Sequence, residues 1–231
     1  MKFGVVIFPG SNCDRDIINV LRDTMGCEVE ELWHKDKDLK GVDFIVIPGG
    51  FSYGDYLRSG AIARFSPIME SVVEHSRRGG YVMGICNGFQ ILCEAEMLPG
   101  TLLHNVNHSF ICKNLYIKPA TGSTIVTAGL DSDRVLRIPI AHAEGRYYAP
   151  ADVLRELNEN EQVIFRYTDK DGNFNKEANP NGSVENIAGV TNKEKNVFGM
   201  MPHPERAANP LLGNEDGRLI FESILKTAMT V

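Results

Sequence analysis

The sequence predicts a doubly wound α/β fold, with a mostly parallel sheet flanked by helices and an added antiparallel region in the second half. Three observations carry this. Short, largely apolar runs rich in β-branched residues recur along the chain, and those at 2–8 and 44–47 are stopped by Pro-Gly, as buried parallel strands are. Helix-periodic segments alternate with them, and strand–helix–strand order implies right-handed crossovers. After about residue 109 the alternation gives way to strands with few helices between them.

In order along the chain, residues 2–8 form a buried strand, broken by Pro9-Gly10-Ser11-Asn12. Residues 14–25 are helical, with Ile17, Ile18, Val20 and Leu21 as an apolar stripe. Residues 28–33 alternate as a second strand, and 44–47 form a third that stops at Pro48-Gly49-Gly50. Residues 59–78 read as helix, with Pro67 as a kink or break. Residues 81–85 are a fourth strand and 87–95 a helix that follows at once. Residues 109–118, 135–141 and 163–167 are the strands of the antiparallel region, and 168–183 is a polar surface loop. Residues 187–190 and 197–201 return to buried strands, and 215–229 is a closing amphipathic helix. With no internal repeat, low-complexity tract or linker, residues 1–231 are expected to form one domain.

Composition excludes several classes. The net charge is −6 and no Lys/Arg cluster occurs, so no nucleic-acid partner is expected. No apolar stretch spans a membrane, and the first residues enter a strand without a leader pattern. Five scattered cysteines without a CxxC pair argue against a disulfide framework or zinc site and for the cytoplasm. No metal site is expected, because the histidines are too dispersed. His34, His75 and His104 read as surface or core residues.

The chemistry is concentrated in Gly84-Ile85-Cys86-Asn87-Gly88-Phe89-Gln90. A nucleophile between two glycines, at a strand end and a helix start, describes a nucleophile elbow. The turn lifts the thiol above the carboxyl end of the sheet, and the helix N-terminus favours an anion there. A small buried Cys in a tight turn would have the same local pattern. Met201-Pro202-His203-Pro204-Glu205 shifts the balance, because a nucleophilic thiol needs a base and the base an orienting carboxylate. His203 and Glu205 lie two apart after a buried strand, so they share a direction if the prolines hold the segment extended. Pro48-Gly49-Gly50 follows another buried strand, and its glycines free backbone N–H groups to point into a cavity, as an oxyanion hole requires. Cys13, Cys27, Cys93 and Cys112 read as packing residues, with the loop of Cys13 the one other exposed candidate.

Together, these three motifs resemble the class I (triad-type) glutamine amidotransferases, in order and spacing along nearly the whole chain. Residues 8–14 (Phe-Pro-Gly-Ser-Asn-Cys-Asp), 49–58 (Gly-Gly-Phe-Ser-Tyr-Gly-Asp-Tyr-Leu-Arg) and 141–147 (Ala-His-Ala-Glu-Gly-Arg-Tyr) are similar to one branch of that family. Its members are the glutaminase subunits of phosphoribosylformylglycinamidine synthase, in purine biosynthesis. Ala143 departs from the glycine usual there. The resemblance implies Cys86 as nucleophile, His203 as general acid/base and Glu205 as its orienter. It implies the N–H groups of Gly50 and Asn87 as oxyanion hole, and Gly49, Gln90, Asn107, His108, Ser109 and Phe110 around the glutamine substrate. It also implies partners: a large synthase subunit, which uses ATP and Mg, and a small bridging subunit. No cofactor is expected in this chain, which lacks a phosphate-cradling loop. Asp14, Arg15 and residues 142–147 are candidate partner contacts. Two other readings compete: a cysteine hydrolase of the related peptidase and chaperone type, which usually lacks the late His-x-Glu, and an inactive binding module on the same fold.

Overall fold

The computed structural model describes residues 1–228. The parallel half of the sheet is built from β1 (Lys2–Ile7), β2 (Glu28–Trp33), β3 (Phe44–Ile47), β4 (Tyr81–Ile85) and, from far along the chain, β11 (Val197–Met200). Of these, β3 is buried along its whole length, as expected for a strand covered on both faces. The antiparallel half comprises β6 (Ile111–Pro119), β7 (Leu136–His142), β9 (Val163–Thr168) and β10 (Ile187–Thr191). The two halves form one nine-stranded sheet in the order β2-β1-β3-β4-β11-β10-β9-β6-β7. Pairing is parallel from β2 to β11 and antiparallel from β11 to β7. Two short strands, β5 (Thr101–Leu103) and β8 (Arg146–Tyr148), pair separately.

The helices are α1 (Asp14–Asn19), α2 (Pro67–Arg77), α3 (Asn87–Glu94), α4 (Ala151–Glu159) and α5 (Arg218–Ala228). Met229, placed in the closing helix on sequence grounds, lies outside the described residues. Three expectations change. Pro67 is the break of the two alternatives, since it starts α2, where the first turn needs no N–H, and the helix expected before it is instead a turn and a short 3₁₀ segment over Ala63–Phe65. Residues 14–25 begin as α-helix but widen to a π-helix over Val20–Thr24, where Met25 N–H donates to Val20 O at 2.9 Å. Between β8 and β9 the chain forms α4, not expected from the sequence although Val153, Leu154 and Leu157 stand at helical spacing within it.

Among the described residues, no helix is long and apolar enough to cross a membrane. The feature that positions the site is the path of β7. It is the last strand of the sheet, yet Pro139 O accepts the N–H of His203 at 2.8 Å, and Ala141 O lies 3.7 Å from Cys86 Sγ. The antiparallel half therefore curls back until its outermost strand meets the carboxyl ends of β4 and β11.

Candidate active site

Cys86 occupies the sharp turn between β4 and α3, with φ 50° and ψ −105°. This conformation costs an L-residue on the order of 1–3 kcal/mol, and surrounding contacts must hold it. Cys86 N–H donates to Met200 O at 2.8 Å and Gln90 N–H to Cys86 O at 3.1 Å, which fix both sides of the turn. The flanking glycines are required sterically. A Cβ on Gly84 would meet the backbone of Gly88 at 2.5 Å, and one on Gly88 would overlap Ile47 O. The first N–H groups of α3 open beside the sulfur, since a helix leaves them without internal partners.

His203 and Glu205 follow β11. His203 Nδ1–H donates to Glu205 Oε1 at 2.6 Å, and both side chains are 1% exposed. They meet through a tight 3₁₀ turn over Pro204–Ala207, not through the extended segment expected from the prolines. With Nδ1 engaged by the carboxylate, Nε2 is the free nitrogen, and it has no protein partner. Burial works against the charged form of His203, but Glu205 and Cys86 outweigh it and lift the imidazole to about 10.

Gly49 lies where these groups converge. A Cβ there would be 2.7 Å from His203 Cε1, 3.3 Å from Cys13 Sγ and 3.4 Å from Cys86 Cβ. Gly50 has φ +132°, open in practice to glycine alone, and its Cβ would strike Asn12 N at 2.6 Å. The structure thus gathers Gly49, Gly50, Cys86, Asn87, His203 and Glu205 at the carboxyl ends of β3, β4 and β11. Asn87 contributes more than its backbone. Its Oδ1 accepts from Ser52 N–H at 3.0 Å, and its Nδ2 donates to Asp55 Oδ1 at 3.2 Å and to Gln90 Oε1 at 3.0 Å. One side chain thereby ties the glycine loop to α3. Burial, with Glu144 adding to it, pushes Asp55 up to about 6 against its bonds to Ser59 and Asn87.

Gln90 sits one turn after Cys86, where its Nε2 donates to Glu144 O at 2.6 Å. It borders a pocket of about 150 Å³ that Arg58, Glu94, His104 and Glu144 also line. Asn107, His108, Ser109 and Phe110 lie elsewhere, on an exposed loop. Of these, Phe110 approaches the site by stacking on Phe51, with ring centroids 6.5 Å apart. Two candidate partner contacts are displaced: His142 is 3% and Tyr147 1% exposed, so neither side chain faces a partner as the chain stands. Arg15 is exposed and paired with Glu31 at 3.0 Å.

The cysteines also differ from expectation. Cys13 is buried, in keeping with a packing role though its loop was the exposed candidate, whereas Cys112, expected to pack, is exposed because its β6 position faces solvent. Cys13 Sγ, a His203 nitrogen and a Glu205 oxygen lie within 4.8 Å of one another, a group that sequence spacing alone did not suggest. Arg206 Nη2 donates to Cys13 Sγ at 3.0 Å. Sequence reasoning missed Arg206, Asp55, and the carbonyls of Pro139 and Ala141. Arg206 stands directly after the His-x-Glu motif and Asp55 within the glycine-loop motif, without a role assigned to either, and the carbonyls carry no sequence signal.

Comparison with known proteins places this arrangement in context. The family model for the CobB/CobQ-like glutamine amidotransferase domain matches residues 1–217. The phosphoribosylformylglycinamidine synthase subunit PurQ of Salinibacter ruber is 54% identical over 97% of this chain and 95% of its own length. The subunit of the same name from Chlorobium luteolum is 53% identical over 98% of each chain. Among solved structures, that of PurLQS from Thermotoga maritima superposes with a TM-score of 0.87 at 43% identity, covering 98% of each chain.

Proposed function

The chain belongs to the CobB/CobQ-like glutamine amidotransferase family, and we propose that it is the glutaminase subunit of phosphoribosylformylglycinamidine synthase. It is a glutamine amidotransferase that acts as part of an ATP-dependent carbon–nitrogen ligase of purine biosynthesis. The observation that carries the chemical assignment is the buried His203–Glu205 pair, which leaves Nε2 free beside an elbow cysteine. An inactive binding module has no need of such a pair, whose burial is costly.

The reaction follows from these groups. Cys86 passes its thiol proton to His203 Nε2, and the sulfur adds to the side-chain amide carbon of glutamine while the carbonyl oxygen takes up negative charge. The N–H groups of Gly50 and Asn87 receive that oxyanion, with Gly49 leaving the space between nucleophile and base open. His203 Nε2 delivers its proton to the amide nitrogen, the C–N bond breaks, and ammonia leaves a thioester on Cys86. His203, now neutral, takes a proton from water, which attacks the thioester and frees glutamate and the thiol. Glu205 holds the imidazole in the tautomer that both steps need. The charged residues of the pocket beside Gln90 suit the α-ammonium and carboxylate of the substrate, and Phe110 and its loop neighbours close over the Phe51 side.

The ammonia goes to a large synthase subunit that binds ATP and Mg, with a small subunit bridging the two. Residues 51–58 are the proposed docking segment. Tyr53, Asp55 and Leu57 have positive φ, and Tyr56 and Leu57 are 73% and 92% exposed. A strained loop that presents apolar side chains, tied to Gly50 and Asn87, gives a partner a handle on the oxyanion hole. Residues 1–231 act as one glutaminase domain, and the five free thiols suit the cytoplasm.

The test is Cys86→Ser in the assembled synthase. Glutamine-dependent synthesis should vanish, while synthesis from added ammonia continues. Retained glutaminase activity in this variant would remove Cys86 from the mechanism.

A further inference from the structure

The segment from Phe8 to Asp14 has no role in the chemistry above, yet it braces the site. Pro9 O and Gly10 O accept the N–H groups of Tyr53 and Phe51 at 2.6 and 2.9 Å, and Cys13 N–H donates to Gly49 O at 3.4 Å. Its Cys13 sulfur belongs to the group with His203 and Glu205. Cys, His and Glu so placed are a donor set for a transition metal. The fourth neighbour argues against that reading. Arg206 Nη2 already donates to Cys13 Sγ, while Arg206 Nε donates to Asp16 Oδ2 at 3.1 Å. A guanidinium is permanently charged, so a metal cation at this point would sit against another cation. The cluster already holds its own positive charge.

That charge answers a need of Glu205. Its Oε1 accepts from His203, but its Oε2 is buried without a partner. A buried carboxylate with unused acceptor capacity is costly to keep ionised. While His203 is protonated, the imidazolium offsets it. Once His203 has given its proton to ammonia, that compensation is gone, just when Glu205 must hold the neutral ring for the attacking water. We propose that Arg206 is a positioning residue of the acid–base pair. Its guanidinium, held by Cys13 Sγ and Asp16, is the permanent counter-charge that keeps Glu205 ionised and aimed at His203. This inference rests on the reading of Cys86, His203 and Glu205 as the catalytic triad.

The other titratable groups around the pair are accounted for. His203 faces Glu205, Cys86 at the start of α3, Cys13, and His142 from β7; Arg206 faces Cys13, Glu205, and Asp16 from α1. Burial, and then the charge of His203, hold His142 down to about 4, so it is neutral across the working range. Burial pushes Cys13 up to about 12 although Arg206 opposes this, so it remains a thiol.

The experiment is the pH dependence of kcat for glutamine hydrolysis by the assembled synthase, from about pH 6 to about pH 11, a window that spans the raised His203 imidazole. Wild type, Arg206→Lys and Arg206→Met are compared, with thermal melts at each pH. Removing the fixed positive charge favours the imidazolium, so the acid limb of Arg206→Met should move up by about one pH unit. Arg206→Lys keeps the charge and should keep the limb in place, at a reduced plateau because the forked contact to Cys13 and Asp16 is lost. A purely structural role would lower both plateaus and move neither limb, and that result overturns the proposal. A limb that moves as far in Arg206→Lys as in Arg206→Met overturns it equally. If Arg206→Met does not fold, Arg206→Gln removes the charge and retains a donor, and the same comparison decides. A wild-type complex that releases no ammonia from glutamine overturns the glutaminase reading and this inference together, and is distinguished by having no limb to compare.

Discussion

Gly49→Ala isolates the geometry of the acid–base pair. A Cβ at Gly49 would stand 2.7 Å from His203 Cε1. Carbon atoms rest at about 3.5–4.0 Å, so the imidazole must withdraw by roughly 1 Å. It cannot be accommodated by moving the methyl the other way, because Cys13 Sγ lies 3.3 Å and Cys86 Cβ 3.4 Å from the same point. The backbone of Gly49 is not in the left-handed region, so alanine brings no conformational strain of its own. A misplacement of about 1 Å at a catalytic group costs on the order of 10²-fold in rate. Overpacking costs about 1–3 kcal/mol, and a chain of this size loses about 2–4 °C in Tm for each of those. The expected outcome is therefore a kcat for ammonia release near 10²-fold below wild type, in a protein that still melts cooperatively, about 2–12 °C lower. The assay is steady-state ammonia release coupled to reductive amination by a dehydrogenase, in the assembled synthase. Gly122→Ala is the control, since nothing lies within 4 Å of its Cβ position. Wild-type kcat in folded Gly49→Ala would refute the argument, because a ring that can be pushed aside without loss is not the proton shuttle.

Three further outcomes follow from the same structure. His203→Ala should cost at least about 10-fold more in kcat than Glu205→Gln, because the carboxylate orients the ring while the ring moves the proton; equal losses would mean that the roles are misassigned. A diazo-ketone analogue of glutamine should label Cys86 and leave Cys13 unmodified by peptide mass mapping even at mildly alkaline pH, since burial holds Cys13 protonated up to about 12; labelling of Cys13 would contradict this. Asp55, raised by burial to about 6 in the folded chain, favours folding most fully below the ordinary carboxyl range, and that contribution is lost as pH rises through about 6. Asp55→Asn should therefore raise Tm at pH above 6 relative to wild type and flatten the dependence of Tm on pH between 4 and 7, as followed by thermal melts; an unchanged profile would place the Asp55 carboxyl in solvent.

The parallel half of the fold was legible because each of its strands satisfies a local condition. A strand such as Phe44–Ile47, covered on both faces, must be apolar throughout, and a turn as tight as that of Cys86 must have glycines where backbones touch. The same condition exposed the elbow, the glycine loop and the His-x-Glu pair. It failed where burial is partial. The helix Ala151–Glu159 has Val153, Leu154 and Leu157 on one face, but only Leu157 is fully buried, and the segment reads as polar. The π-turn after Asn19 has no marker in its residues at all, since its extra residue is absorbed by backbone bonding.

The less legible part of the site is the part made by closure. Whether β7 ends at the sheet's edge or returns to Cys86 depends on how far four antiparallel strands twist and curl. Alternating burial along Leu136–His142 fixes which side chains face inward, not where the strand arrives. Its arrival supplies groups that no side-chain pattern can announce: a carbonyl that fixes the backbone of His203 and another beside the thiol. Cys13 illustrates the same point from the opposite end of the chain. Its motif places it after the first strand, where a loop cysteine reads as exposed packing. Only when the turn after β11 folds down does Arg206, 193 residues later, meet its sulfur. The residues that perform bond making are written in local patterns because a strand end, a helix start and a tight turn dictate them. The residues that tune those groups are set by distant surfaces meeting, and they become visible only after the sheet has closed.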